Sequence, residues 1–519
     1  MAFISLEYAV FVVVLLVLYY ILPKKIRWIS LLLGSYYFYF VASKALIAFL
    51  LLSTVSIYVA GIFIDKEVNK DKQISKDLEK EEKKKIKDKI KKRKKLIVIL
   101  TVILNFAILA IFKYTGFMIG NINQILNMFK LGNISIITFA LPLGISYYTL
   151  MAVSYIVDVY RGKYEAEKNP FKIALYLSFF PSITQGPITK YEQVGNQLYE
   201  AHKFDIDNII HGASLILLGV FKKIVIADRA GIFVNQVFAE ESFGIVMFLG
   251  AVLYTLQIYA EFAGCMDIVI GTSRLFGIEL AENFNRPFFS RSIQEFWRRW
   301  HITLGAWIKE YIFYPVSLSK MNMNATSFFR KHFKKEMAKF LIVSFPLLFV
   351  WLYNGIWHGA SWKYVAYGMY YYLLIIIGIL LAPILQKIRQ KLKVNVESKG
   401  FVLYEILRTT MFVIIGMMMF RSSSFTIFIR NFANMFKASK IEIMECGLVT
   451  LDFIILIAYV IGLIIIGIFQ EKGTKIYLKL REKNVLMRYL VYGFAVLSIV
   501  IFGIYGEGYD TSNFIYGQF

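Results

Sequence analysis

Windows of about 20 apolar residues, the length that crosses a hydrocarbon core about 30 Å thick as a helix, recur along nearly the whole chain. They begin near Leu6, Trp28, Leu46, Leu96, Ile136, Ile209, Gly244, Lys339, Trp362, Phe401, Leu451 and Leu486. In lipid every backbone N–H and C=O must find a partner inside the protein, and segments of this length do so as helices. Of the 519 residues 58% are hydrophobic, against roughly 45–50% in soluble domains. The expected class is an all-α polytopic membrane protein. Three further apolar stretches, 171–184, 265–280 and 297–318, are short or interrupted by charge and glycine, so they are expected to be re-entrant or interfacial.

The formal charge of +24 is unevenly spread. Residues 65–95, DKEVNKDKQISKDLEKEEKKKIKDKIKKRKK, hold about a quarter of all lysines and arginines between two spans, with Glu and Lys at helical i,i+4 spacing. This predicts a solvated cytoplasmic helix or helical hairpin that obeys the positive-inside rule. With no aromatic residues interleaved, the run is not expected to bind nucleic acid. Lys24, Lys25 and Arg27 end the first span and two more spans precede the 65–95 run. Both basic stretches therefore share one side if the N-terminus is extracellular. The first segment, LEYAVFVVVLLVLYYILPKK, carries neither a basic leader nor a small-residue cleavage site, so a retained helix is expected. No repeat or Pro- or Gly/Ser-rich linker divides the chain, which predicts a single membrane domain over 1–519 in a multi-pass plasma-membrane protein. The polar stretches between spans are too short for a soluble catalytic domain. Any chemistry is then carried by polar residues at membrane depth, which are costly there and by default functional.

Two stretches stand out. In FNRPFFSRSIQEFWRRWHITLGAWIKEYIFYP, residues 284–315, a helical reading puts Trp297, Trp300, His301, Leu304, Ile308 and Tyr311 on one face. An interfacial amphipathic helix with snorkelling arginines explains most of this, but not a histidine among aromatic rings. In NGIWHGASW, residues 354–362, His358 follows a long apolar run and sits between Gly355 and Gly359. That GxxxG spacing suits close helix packing, which leaves a packing role and a functional one both open. A neutral imidazole at that depth can accept a proton, as a general base must.

Elsewhere the signals are weaker. His202, His211 and His332 lie in or beside basic, loop-like sequence and are expected at the surface. Asp158 and Arg161 close a span as an ion pair, and Glu261 and Asp267, inside an apolar segment, need partners such as Arg274, Arg298 or Arg299. Glu295 is assigned the same structural polar role. His301 and His358 lie 57 residues apart with no HxxH or Cys/His spacing, and Cys265 and Cys446 are only two. No metal site is expected. No GxSxG, Walker A or GxGxxG stands in a supporting context.

Taken in order, LPLGISYYTLMAVSYIVDVYRG (141–162), LSFFPSITQGPITKY (177–191), LFGIELAENFNRPFFSRSIQEFWRRWHITLGAWIKEYIFYP (275–315), LYNGIWHGASW (352–362), MFRSSSFTIFIRNFANMF (419–436) and the closing FIYGQF (514–519) carry a family resemblance. The chain resembles the membrane-bound O-acyltransferases (MBOAT), in the bacterial branch of the alginate O-acetyltransferase membrane subunit. The teichoic-acid D-alanyl transferases are a more distant likeness. The resemblance implies a ring of about 11–13 transmembrane and re-entrant helices around a central catalytic tunnel. It makes His358 the catalytic histidine and His301 the second functional position. It implies no bound cofactor, a cytoplasmic thioester donor such as acetyl-CoA, a hydroxyl acceptor on a cell-surface polysaccharide, an extracellular SGNH-type partner protein and contact with membrane lipids. Departures are AEFAGCMD where FDFSGYSD is usual, FIYGQF for FIYFQF, and SLSKMNMN for a glycine-rich turn.

On that basis His358 would act as general base on the acceptor hydroxyl or briefly carry the acyl group, and His301 would orient the donor or stabilise the developing oxyanion. Arg298 and Arg299 are candidates for the donor phosphates or for membrane anchoring, and Trp297, Trp300, Trp357 and Asn354 for the tunnel wall or donor site. D-alanyl transfer to teichoic acid is the nearest alternative. A polymer transporter or flippase, whose polar residues would line a permeation path, and a non-catalytic scaffold are rivals of other classes.

Overall fold

The computed structural model describes residues 2–73, 79–439 and 442–505. Among them, nine helical stretches are long and apolar enough to cross a membrane: Lys24–Lys72, Lys80–Met128, Ile206–Ala239, Gly244–Leu275, Lys335–His358, Trp362–Lys391, Lys399–Arg421, Thr450–Glu471 and Val485–Phe502. Leu6–Ile21 is apolar but shorter. Protein buries only 11% of the apolar window in Thr450–Glu471 and 6% of that in Val485–Phe502. Apolar area left in water costs about 25 cal/mol per Å², so lipid is the medium in which such helices are stable. The protein is an all-α, multi-pass membrane protein. The closing FIYGQF motif lies outside the described residues, as do residues 74–78 of the 65–95 run.

The window expected from Ile136 is not a helix. Residues 131–141 are non-helical and exposed. Gly132 takes a left-handed φ of 84°, and the Asn123 side chain donates to the Ile134 carbonyl and accepts from its N–H, both at 2.8 Å. Those bonds replace the helical ladder, and the helix Ile145–Arg161 starts only after Gly144. The stretch 265–280 is likewise no separate element: the helix Gly244–Leu275 runs through it and ends just before Gly277, φ 79°.

The described chain falls into two compact units. One comprises the chain up to Ala213 with Val269–Ala281. Its core is the helix Ile145–Arg161, with Tyr148 and Tyr155 fully buried. Asp158, wholly buried, meets Lys163 at 3.2 Å and Arg161 at 3.8 Å, so the expected pair is present with a second cation. The basic run forms facing parts of the helices Ile47–Lys72 and Lys80–Met128, joined by Arg93 and Glu67 at 3.9 Å.

The other unit comprises Ser214–Ile268 and the chain from Glu282 onward. Its intramembrane carboxylates take lysines, not the arginines expected. Lys222 bonds Asp267 at 2.6 Å, and Lys223 reaches Asp228 at 2.6 Å and Glu261 at 3.7 Å. These lysines open a π-helical turn, Lys222–Ala227, on a different helical segment from Glu261 and Asp267, and spacing within one helix does not show such partners. Arg274 pairs instead with Glu279 at 3.2 Å, within the first unit.

Candidate active site

The helix Lys335–His358 ends on its histidine. Only Gly359, Ala360 and Ser361 separate it from Trp362–Lys391, which Ser361 caps by accepting from the Lys363 N–H. The two helices touch through glycine: a Cβ on Gly355 would strike the Tyr364 carbonyl, and one on Gly368 would strike that of Trp351 and lie 3.2 Å from the Gly355 Cα. The packing glycines are thus Gly355 and Gly368, one on each helix, while Gly359 lies against the Tyr364 ring. Between them they seat His358, 3% exposed, among Trp357, Tyr367 and Phe420 at ring distances of 5.1, 5.7 and 5.3 Å. One turn earlier, the buried Oδ1 of Asn354 has no hydrogen-bond partner among the described residues.

His301 is held differently. The continuous helix expected across 297–311 is broken at this residue: Ile293–Arg299 and Ile302–Ile308 are separate helices, Trp300 is extended, and His301 has φ 48° and ψ 52°. A non-glycine residue pays for left-handed backbone and persists there only where its surroundings impose it. Here they do. The Asn285 N–H donates to the Arg299 carbonyl at 2.9 Å, and the Ile302 N–H to the Asn283 carbonyl at 3.0 Å. Phe284 and Trp300 form an isolated antiparallel bridge between them. Asn283 also gathers the new helix start through its side chain, whose Oδ1 accepts from the Thr303 N–H at 3.0 Å and the Thr303 hydroxyl at 2.9 Å and lies 3.2 Å from His301 Nδ1. The imidazole, 2% exposed, packs on Phe262 at 4.9 Å. It lies outside the helices long enough to cross a membrane, and burial pushes its pKa down to about 3.

Trp357 joins the two arrangements, its indole 5.8 Å from the His301 ring and 5.1 Å from that of His358. Trp297 stands near them, 4.8 Å from Tyr371 and 6.4 Å from Tyr367, its buried Nε1 without a hydrogen-bond partner among the described residues. Trp300, 1% exposed, packs on Phe284 at 5.1 Å and Phe296 at 5.4 Å. Arg298 is exposed. Arg299 is committed to Glu295 at 2.6 Å and, through both terminal nitrogens, to Glu471 at 3.0 Å, which makes it a brace. Glu295 also accepts from the Arg291 N–H. His332 is exposed, and His202 and His211 are half-buried. Among the described residues no three His, Cys, Asp or Glu side chains cluster as a metal site.

Residues 165–424, which contain both histidines, match the profile of MBOAT, membrane-bound O-acyltransferase family.

The chain belongs to the membrane-bound O-acyltransferase family.

Among its relatives are a probable alginate O-acetylase of Pseudomonas aeruginosa, 30% identical over 348 residues, or 67% of this chain and 61% of that protein, and a peptidoglycan O-acetyltransferase of Helicobacter pylori, 31% identical over 52% of this chain and 53% of that one. A teichoic acid D-alanyltransferase of Bacillus subtilis is 31% identical over 44% of this chain and 56% of its own length. The match thus spans about three fifths of the Pseudomonas aeruginosa relative. Within this family member, Asn283, Tyr367 and Phe420 belong to the histidine surroundings although their sequence context singles out none of them.

Proposed function

We propose that the protein is an O-acyltransferase that moves an acetyl group from a cytoplasmic thioester, acetyl-CoA, to a hydroxyl of a cell-surface polysaccharide. The observation that carries this reading is the convergence of two buried histidines on one indole, in a chain whose family is defined by acyl transfer. His358 takes the proton of the acceptor hydroxyl as its oxygen attacks the thioester carbonyl. The new C–O bond forms, the C–S bond breaks, and the proton passes to the departing thiolate. Positioned proton transfer of this kind contributes about 10²–10⁴-fold. His301 orients one of the substrates. Trp297, Trp357 and Asn354 form the surrounding wall, Asn354 with an acceptor oxygen to offer a substrate N–H or O–H. Arg298, exposed and next to Trp297 in sequence, meets the donor phosphates. The protein lies in the plasma membrane with its N-terminus outside and the 65–95 hairpin in the cytoplasm, and an extracellular SGNH-type protein completes delivery to the polymer.

The test is transfer by the purified chain in lipid nanodiscs, with acetyl-CoA, D-alanyl thioester and soluble polysaccharide hydroxyls offered separately. Release of thiol and formation of acetyl ester are expected, and both vanish in His358→Ala. A His358→Ala protein that still acetylates at near wild-type rate overturns the assignment. Preference for the D-alanyl thioester redirects it to that donor, and polymer export lost while acetylation persists turns it to a transporter.

A further inference from the structure

We infer that Asn283 is a positioning residue that locks His301 in the tautomer with hydrogen on Nδ1, so that Nε2 faces the substrates as a bare hydrogen-bond acceptor. The inference rests on the transferase reading only for what the substrates are. The chemistry of the lock stands on the geometry.

The Thr303 backbone N–H can only donate, so the Asn283 side-chain atom 3.0 Å from it is the oxygen. The other end agrees, since Asn283 Nδ2 points at the Met266 sulfur, an acceptor, at 3.3 Å. An amide oxygen only accepts, and His301 Nδ1 lies 3.2 Å from it. Nδ1 therefore carries the hydrogen. A neutral imidazole holds one N–H, so Nε2 keeps its lone pair. That atom is buried and finds no hydrogen-bond partner among the described residues, and a buried polar atom left unpaired is costly. The ring is clamped by Phe262 and Trp357 and its backbone by the left-handed turn, so it cannot rotate cheaply to satisfy Nε2 elsewhere. What completes the site is a molecule that brings a hydrogen: the acceptor hydroxyl, or an amide N–H in the arm of the thioester donor. In this state His301 cannot donate to an oxyanion, which removes that role from the two its resemblance allowed.

The test uses the full-length protein labelled with ¹⁵N-histidine in nanodiscs. The chain has five histidines, and His301 is assigned by the signal missing from His301→Gln. The wild type is expected to show a pyrrole-type Nδ1 and a pyridine-type Nε2. Asn283→Asp, whose carboxylate accepts the same three hydrogens, keeps that pattern. Asn283→Leu loses it and raises one KM about tenfold, the worth of one hydrogen bond. A rise in the thioester KM identifies the donor arm as the partner, and a rise in the acceptor KM identifies the hydroxyl. Hydrogen on Nε2 in the wild type overturns the inference without need of any variant, as does an Asn283→Leu protein with tautomer and both KM values unchanged. A wild type that shows the tautomer but transfers no acyl group overturns the transferase reading alone.

Discussion

His358 and His301 are equally buried, yet they sit on opposite kinds of backbone. His358 ends a helix in a hairpin packed through two glycines, and of the rings around it Trp357 and Tyr367 come from that hairpin and Phe420 from the helix Lys399–Arg421. His301 occupies a left-handed hinge between two short helices, fixed by a strand-like contact and an asparagine eighteen residues earlier. The hairpin gains precision from close packing, with little backbone strain. The hinge gains it from over-determination, where several hydrogen bonds together impose a conformation that a histidine alone disfavours.

The largest effect expected from breaking this contrast is at His358. Its replacement by alanine should cost about 10²–10⁴ in transfer rate while detergent size exclusion shows an intact fold. Next is Gly355→Leu, which drives a side chain into the Tyr364 carbonyl and should cost about 3 kcal/mol or more. Gly378→Ala, with open space around it, should stay within about 0.5 kcal/mol. Equal thermal stability of the two would show that the hairpin is not glycine-packed. At the hinge, His301→Gly should lose activity but keep the fold, whereas His301→Val should be less stable than the glycine variant by about 1–3 kcal/mol. The reverse order would mean that the turn is not left-handed.

Acid tests the hinge. Burial holds His301 below the ordinary imidazole value of about 6.5, at about 3. The unfolded chain therefore binds this proton first, and the His301 contribution to stability is full above about pH 6.5 and falls as the pH drops toward 3. Its ring resonances should stay constant between pH 5 and 8, and a midpoint inside that range would contradict its burial. The smallest change is expected from Glu471→Gln, which loosens Arg299 and Arg286. These partly exposed bridges are worth about 1 kcal/mol or less, measurable as a small fall in thermal midpoint with the rate nearly kept.

The end of the hairpin's first arm was legible because its information is local, an apolar run of membrane length with a histidine at its end, whereas the glycine contact joins Gly355 to Gly368 across two helices and not to Gly359 of the GxxxG pair. The hinge was not. Periodicity assumes a continuous helix, and in FWRRWHITL it put Trp300 and His301 on one stripe, although bonds from a distant asparagine and a single bridge from Phe284 bend the chain there. The partners of Glu261 and Asp267 were hidden for a related reason: Lys222 and Lys223 lie on another helical segment, and periodicity along one segment says nothing about what faces it. The non-helical stretch 131–141 escaped notice because its apolar composition fits a span, while its fold is set by Asn123.

The three-residue link between the helices Lys335–His358 and Trp362–Lys391 also bears on how the chain is made. Gly355 and its contact Gly368 leave the ribosome within four helical turns of each other, so the hairpin can close as soon as its second arm enters the bilayer, before the later spans exist. Trp357 and Tyr367, two of the rings against the His358 imidazole, are thereby in place with the hairpin itself, and Phe420 joins them with a later helix. His301 meets Phe262 and Asn283 from chain already made, and Trp357 closes its other side only when the hairpin arrives.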